Sequence, residues 1–170
     1  ESVEGSGSVF WVEVNLSATP QLTVSAAATA VQIPDRVNTQ QRTLLYVEDN
    51  PANLMLIEDL MARRPDIRLL SAQEGITGIE MALNFRPDVI LMDINLPGIN
   101  GIRVLEILSA DPRTANIPVV ALSANAMPRD IEKGLSAGFF RYLTKPIRIN
   151  EFMEALDNAM EVATRAGDKG

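Results

Sequence analysis

Glu48 and Asp49 follow the apolar run Leu44-Leu45-Tyr46-Val47, and Asp93 follows Val89-Ile90-Leu91-Met92. Ser123 follows Val119-Val120-Ala121-Leu122, and Lys145, with Pro146 after it, follows Tyr142-Leu143-Thr144. Only the run Ile67 to Leu70 ends without such a group, at Ser71. Carboxylates gathered in one small volume repel and raise one another's pKa unless a cation resolves the conflict. Magnesium takes oxygen ligands and is commonly held by one or two carboxylates plus a phosphate, which suits Glu48, Asp49 and Asp93. Lys145 could then pair with one phosphoryl oxygen and the Ser123 hydroxyl with another. A carboxylate nucleophile, Asp93, would form an aspartyl phosphate. Catalysis of that kind is positioning plus charge neutralisation.

These groups can meet only if the apolar runs are neighbouring strands. Each run is short, branched and bounded by turn residues, and the stretches between carry helical spacing. We place strands at Thr43–Val47, Ile67–Leu70, Val89–Met92, Pro118–Leu122 and Arg141–Thr144. Helices are expected at Pro51–Arg63, Gly75–Asn84, Gly101–Ser109, Arg129–Ala137 and Ile149–Thr164. Asn50 is a suitable N-cap with Pro51 at the first helical position, and Asn150 is an alternative cap ahead of Glu151. Leu54, Ile57, Leu60 and Met61 form one face of the first helix; Phe152, Leu156, Ala159 and Val162 or Ala163 do so in the last. Alternation of strand and helix predicts a parallel sheet, whose ligands collect at the carboxyl ends of the strands.

The 170 residues allow one ordinary domain plus a tail, and an apolar fraction of 46% supports a real core. A formal net charge of −7 without clustered Lys and Arg argues against a nucleic-acid partner. The chain has no cysteine, which removes disulfides and thiolate metal sites and fits a reducing, cytoplasmic setting. It has no histidine, which removes histidine acid–base catalysis within these residues. No apolar run is long enough to span a bilayer, so no direct membrane contact is expected.

Taken singly, each candidate has a commoner structural role. An acidic pair after a strand is usually a cap or a solvated turn, Asp93 could start a turn through Leu96-Pro97-Gly98, and Ser123 is a common cap. Lys145 alone reads as surface charge, and Tyr142 as sheet packing. Their joint placement at the ends of the first, third, fourth and fifth strands favours a shared function.

The segments Leu45-Tyr46-Val47-Glu48-Asp49-Asn50, Val89 through Gly101, Val120-Ala121-Leu122-Ser123-Ala124 and Tyr142-Leu143-Thr144-Lys145-Pro146 resemble the receiver domain of two-component response regulators. The likeness runs from about Arg42 to Ala163 and implies a receiver domain over 42–165. It implies an α/β, flavodoxin-like, doubly wound (βα)5 fold with a parallel sheet in the order 2-1-3-4-5. Asp93 would be the phosphoacceptor. Glu48 and Asp49 match the acidic pair that binds Mg2+, Asp49 being the closer ligand, and the Asn95 backbone carbonyl would complete the protein ligands. Ser123 and Tyr142 take the positions of the switch hydroxyl and switch aromatic, and Lys145 that of the phosphate-binding lysine. The Lys145-Pro146 bond is cis in similar domains. Asn95 and Asn125 stand where residues of similar proteins tune phosphoryl lifetime. The chain departs from the family at Gly138-Phe139-Phe140-Arg141, where an acidic or small pair is usual, so a partner surface could differ there.

Upstream, Gly5-Ser6-Gly7-Ser8-Val9-Phe10-Trp11-Val12-Glu13-Val14 resembles the closing turn and last strand of a histidine-kinase ATP-binding domain. On that likeness, residues 1–16 end a kinase core, 17–41 are a linker and 166–170 a disordered tail. The parent would be a hybrid sensor histidine kinase, with membrane anchorage of that parent left open.

The reading reached is a phosphoacceptor switch of a phosphorelay, taking a phosphoryl group onto Asp93 from a phosphohistidine of a histidine kinase core or phosphotransfer domain. The domain would catalyse its own phosphorylation and dephosphorylation, and a homodimer is an open partner. One rival is a receiver fold that only docks or dimerises, against which the full pocket argues. Another is a phosphatase or cofactor domain. The chain lacks a Gly-rich loop after the first strand, and Asn95 stands where an acid would protonate a leaving group.

Overall fold

The computed structural model describes residues 41–125 and 127–167. The kinase-core end expected at 1–16 and the linker expected at 17–41, Gln41 excepted, lie outside the described residues, as do residues 168–170 of the expected tail.

Strands and helices alternate through the described residues: β1 Arg42–Val47, α1 Pro51–Met61, β2 Ile67–Ala72, α2 Gly75–Phe85, β3 Val89–Asp93, α3 Gly101–Ala110, β4 Val119–Ser123, α4 Pro128–Ala137, β5 Arg141–Thr144 and α5 Ile149–Gly167. All five strands are parallel, in the order β2-β1-β3-β4-β5. This is the flavodoxin-like doubly wound arrangement, and the order reverses between β1 and β3.

Because side chains alternate across a strand, each central strand supplies both faces of the sheet. Leu44 and Tyr46 of β1, Val89 and Leu91 of β3, and Val120 and Leu122 of β4 face one way. They are covered by Leu54, Ile57 and Met61 of α1 and by Phe152, Leu156 and Ala159 of α5. Leu45, Val47, Ile90, Met92, Val119 and Ala121 face the other way, against Ala82 of α2 and Val104, Leu105 and Leu108 of α3. Strands buried on both faces read as continuous apolar runs. Each fully buried Val or Leu contributes roughly 1.5–3 kcal/mol.

Several expected boundaries move. Helix α1 stops at Met61 rather than Arg63, since Pro65 disfavours helical geometry at Arg64 and the chain turns there. Pro118 precedes β4, which begins at Val119; Pro118 has no N–H for the ladder, though its carbonyl accepts from Ile90 N at 3.0 Å. Asn50 caps α1 as expected, accepting from Ala52 N at 2.9 Å with Pro51 first in the helix. Asn150 is not a cap: α5 has begun by Ile149, and Phe152 N already donates to Arg148 O. The same helix continues to Gly167, taking in the first two residues assigned to the tail. Its buried face uses Met160, while Val162 is exposed.

Candidate functional site

Glu48 follows the last residue of β1 and Asp93 closes β3, adjacent strands whose register pairs Val47 with Met92. The two carboxylates therefore emerge side by side at the same rim. Asp49, next along the chain, is exposed. One carboxylate oxygen from each of Glu48, Asp49 and Asp93 lies within 4.8 Å of the others. Glu48 is fully buried and Asp93 is 4% exposed. Buried carboxylates so close together demand a cation.

Lys145 supplies one. It follows β5, yet its Nζ donates to Asp93 Oδ2 at 2.7 Å and to Glu48 at 2.7 Å (Oε2) and 3.0 Å (Oε1). Its backbone N–H donates to Ser123 O at 2.8 Å, and the Lys145-Pro146 peptide is cis. Burial presses the Lys145 ammonium toward its neutral form, but the hydrogen bonds it donates to Asp93 and Glu48 outweigh it and hold its pKa above the ordinary lysine value.

Two residues not singled out by the sequence reasoning complete the surroundings of Glu48. Tyr46 OH donates to Glu48 Oε2 at 2.7 Å, and Asn53 Nδ2 in the first turn of α1 donates to Glu48 Oε1 at 2.9 Å. Burial pushes the Glu48 carboxyl up, yet the bonds from Lys145, Asn53 and Tyr46 together bring it below the ordinary glutamate value. Burial, reinforced by the bond to Glu48, pushes the Tyr46 phenol far above its ordinary range. A signal for Tyr46 existed in the sequence: it stands two residues before Glu48, hence on the same side of the strand.

Asp93 is also fixed by its own turn. Asn95 N donates to Asp93 Oδ1 at 2.9 Å, and Gly101 N donates to Ile94 O at 3.0 Å, drawing the start of α3 against the end of β3. A Cβ on Gly101 would stand 2.5 Å from Asp93 O and 2.9 Å from Ile94 Cα, so this close approach of two backbones requires glycine.

Ser123 and Tyr142 form a second group beside the carboxylates. Ser123 is buried at the end of β4 and its Oγ accepts from Asn125 N at 3.1 Å. Tyr142 OH donates to Asn125 O at 3.2 Å. The Asn125 backbone thus ties the expected switch hydroxyl to the expected switch aromatic. Among the described residues neither side chain hydrogen-bonds to Asp93 or Lys145. The Phe pair ahead of β5 is spent inside the domain: Phe139 is buried and Phe140 packs on the core of the α1/α5 side.

The donors here are hard carboxylate oxygens, with the exposed Asp49 on the solvent side of two buried acids. That set fits a divalent cation of the magnesium kind. What fold and site define is a doubly wound α/β domain with an acidic, lysine-bridged pocket at the carboxyl rim of its sheet.

Residues 44–157 match the family described as the response regulator receiver domain. The chain is 35% identical over 115 residues to the polar-differentiation response regulator DivK of Brucella anthropi, covering 68% of this chain and 93% of that protein. It resembles the crystal structure of the receiver domain of sensor histidine kinase PA1611 from Pseudomonas aeruginosa PAO1, which has a magnesium ion coordinated in the active site cleft. The TM-score is 0.64 at 34% identity, covering 71% of this chain and 98% of that one. The receiver domain of the Francisella response regulator 1452 gives a TM-score of 0.64 at 26% identity, covering 74% and 98% of the two chains. The chain belongs to the response regulator receiver domain family, and its general role is phosphorelay signalling. No helix among the described residues is long and apolar enough to cross a membrane.

Proposed function

We propose that the domain is a Mg2+-dependent phosphoacceptor switch that receives a phosphoryl group on Asp93 from a phosphohistidine. The observation that carries this reading is the Lys145 bridge: one ammonium joins Glu48 of the acidic pair to a buried Asp93, each at 2.7 Å. A carboxylate oxygen of Asp93 forms the new P–O bond as the P–N bond of phosphohistidine breaks, and the electron pair leaves on the imidazole nitrogen. Lys145 sits where it can transfer one of its hydrogen bonds to a phosphoryl oxygen. Asn95 N keeps the Asp93 carboxylate oriented. Asp49, Asp93 and the Asn95 carbonyl, within the charge field of Glu48, are the groups to hold magnesium, which when bound would neutralise charge on the phosphoryl oxygens. Hydrolysis reverses the state, water attacking phosphorus and restoring the Asp93 carboxylate.

The output is conformational. Turning the Ser123 side chain to donate its hydroxyl to a phosphoryl oxygen would draw Oγ away from Asn125 N, and Asn125 is also what Tyr142 holds. Ser123 and Tyr142 are thereby the two ends of one switch. The donor would be a histidine kinase core or a phosphotransfer domain in the cytoplasm. The kinase-like segment at 5–14 and the likeness to a sensor kinase's receiver support a hybrid histidine kinase as the parent.

The test is the intact mass of the chain after incubation with acetyl phosphate, with and without magnesium, beside Asp93→Ala. A single phosphoryl adduct that needs both magnesium and Asp93 is expected. A folded protein that binds the metal and gains no adduct would leave a docking module instead.

A further inference from the structure

We propose that Tyr46 is a positioning residue for this pocket: its buried hydroxyl, acting through Glu48, holds the Lys145 ammonium against Asp93. The proposal rests on the phosphoacceptor reading above. Tyr46 is fully buried in the core beneath α1 and α5, among Leu44, Ile57, Leu91 and Phe152. Packing alone would be served there by phenylalanine, which carries no polar group to desolvate. The hydroxyl finds its partner in Glu48 Oε2 at 2.7 Å.

Glu48 in turn has no spare acceptor position. A carboxylate offers about four lone-pair sites. Tyr46 and Lys145 occupy those of Oε2, each at 2.7 Å, and Asn53 (2.9 Å) and Lys145 (3.0 Å) those of Oε1, which Asn50 N also approaches at 3.4 Å. Tyr46 and Asn53 reach it from β1 and α1, so the carboxylate is pinned at both oxygens and Lys145 straddles the pair. From that seat Nζ reaches Asp93 Oδ2 at 2.7 Å. The terminal torsion of a glutamate is broad. Without the tyrosine donor, Glu48 is free to turn about it, and Lys145 follows Glu48 rather than Asp93.

The experiment uses the full chain at saturating magnesium with acetyl phosphate as the probe, and follows the rate of adduct formation by intact mass. Tyr46→Phe is expected to slow the rate about fivefold, within the range for one ordinary hydrogen bond. In a Glu48→Gln background the same change is expected to have no further effect, because the seat it supports is already lost. Equal slowing in both backgrounds would overturn the proposal, since that pattern marks a packing defect, and so would a wild-type rate in folded Tyr46→Phe. If that variant loses its cooperative melt, Asn53→Ala, at a half-buried position, reads the same seat from α1. If the wild type gains no adduct at all, the phosphoacceptor reading has failed. The Lys145 ammonium resonance then decides the positioning separately: visible in the wild type and broadened in Tyr46→Phe supports it, unchanged overturns it.

Discussion

The two rims of the sheet carry charge in opposite ways. At the amino ends of the strands the charges that are paired have partners of their own and stay partly exposed. Arg64 bonds Asp66 (2.8 Å) and Asp157 (2.9 Å), with 25% of its side chain exposed and its partners about half exposed or more. Asp88 accepts from Thr43 N at 2.7 Å, and Arg42 donates to Met160 O, joining β1 to α5. At the carboxyl ends, three carboxylates cluster, and one ammonium bridges the two that are buried. The first rim closes the fold. The second holds excess negative charge in a low-dielectric setting, offset in part by Lys145; a cation and a phosphoryl group are what the proposed function would bring to it.

Removing one cation from each rim is the most forceful way to test this contrast. Lys145→Met leaves Glu48 and Asp93 buried without their counter-charge and is expected to cost about 3–5 kcal/mol without magnesium. Arg64→Met is expected to cost less than about 1 kcal/mol, as for other solvated pairs. Urea unfolding of both variants, repeated with magnesium, checks this. Added metal should recover part of the Lys145 loss and none of the Arg64 loss. Equal costs at the two rims would dissolve the comparison.

Acid sharpens it. Glu48 has a folded pKa below its ordinary value. The stability it contributes is therefore fully present above that ordinary value and is lost as pH falls through the depressed folded value. Melting temperatures of the metal-free protein should fall over that window, and Glu48→Gln should show a shallower fall. Identical slopes would mean that the pinned carboxylate contributes nothing to the pH dependence.

The smallest effect concerns the switch beside the pocket. A Cβ on Gly134 of α4 would lie 2.6 Å from Tyr142 Cδ2 and 2.8 Å from Cε2. Gly134→Ala gains about 1 kcal/mol of helix propensity but displaces the Tyr142 ring, so stability should change by less than that gain. The Tyr142 ring resonances should shift clearly while those of Tyr46 stay in place. An unmoved Tyr142 would show that α4, rather than the ring, yields.

Much of this was legible before folding was considered. Apolar runs of β length separated by helical stretches dictate a parallel α/β sheet, and the residue type at each run's end marked Glu48, Asp49, Asp93, Ser123 and Lys145. Local rules also carried the Asn50-Pro51 helix start. They failed at Asn150, where Arg148 O had already begun the helix.

What the sequence by itself determined is which groups stand at strand ends and which faces of strands and helices are apolar, because both follow from the periods of the backbone. The tertiary structure alone decided that Lys145 bridges Glu48 and Asp93, residues 97 and 52 positions away. It also decided that Glu48 is buried while its neighbour Asp49 is exposed, and that Tyr46 and Asn53 hold the buried member. These pairings arise between side chains brought together by the order of strands, and no local spacing encodes a distance across a sheet.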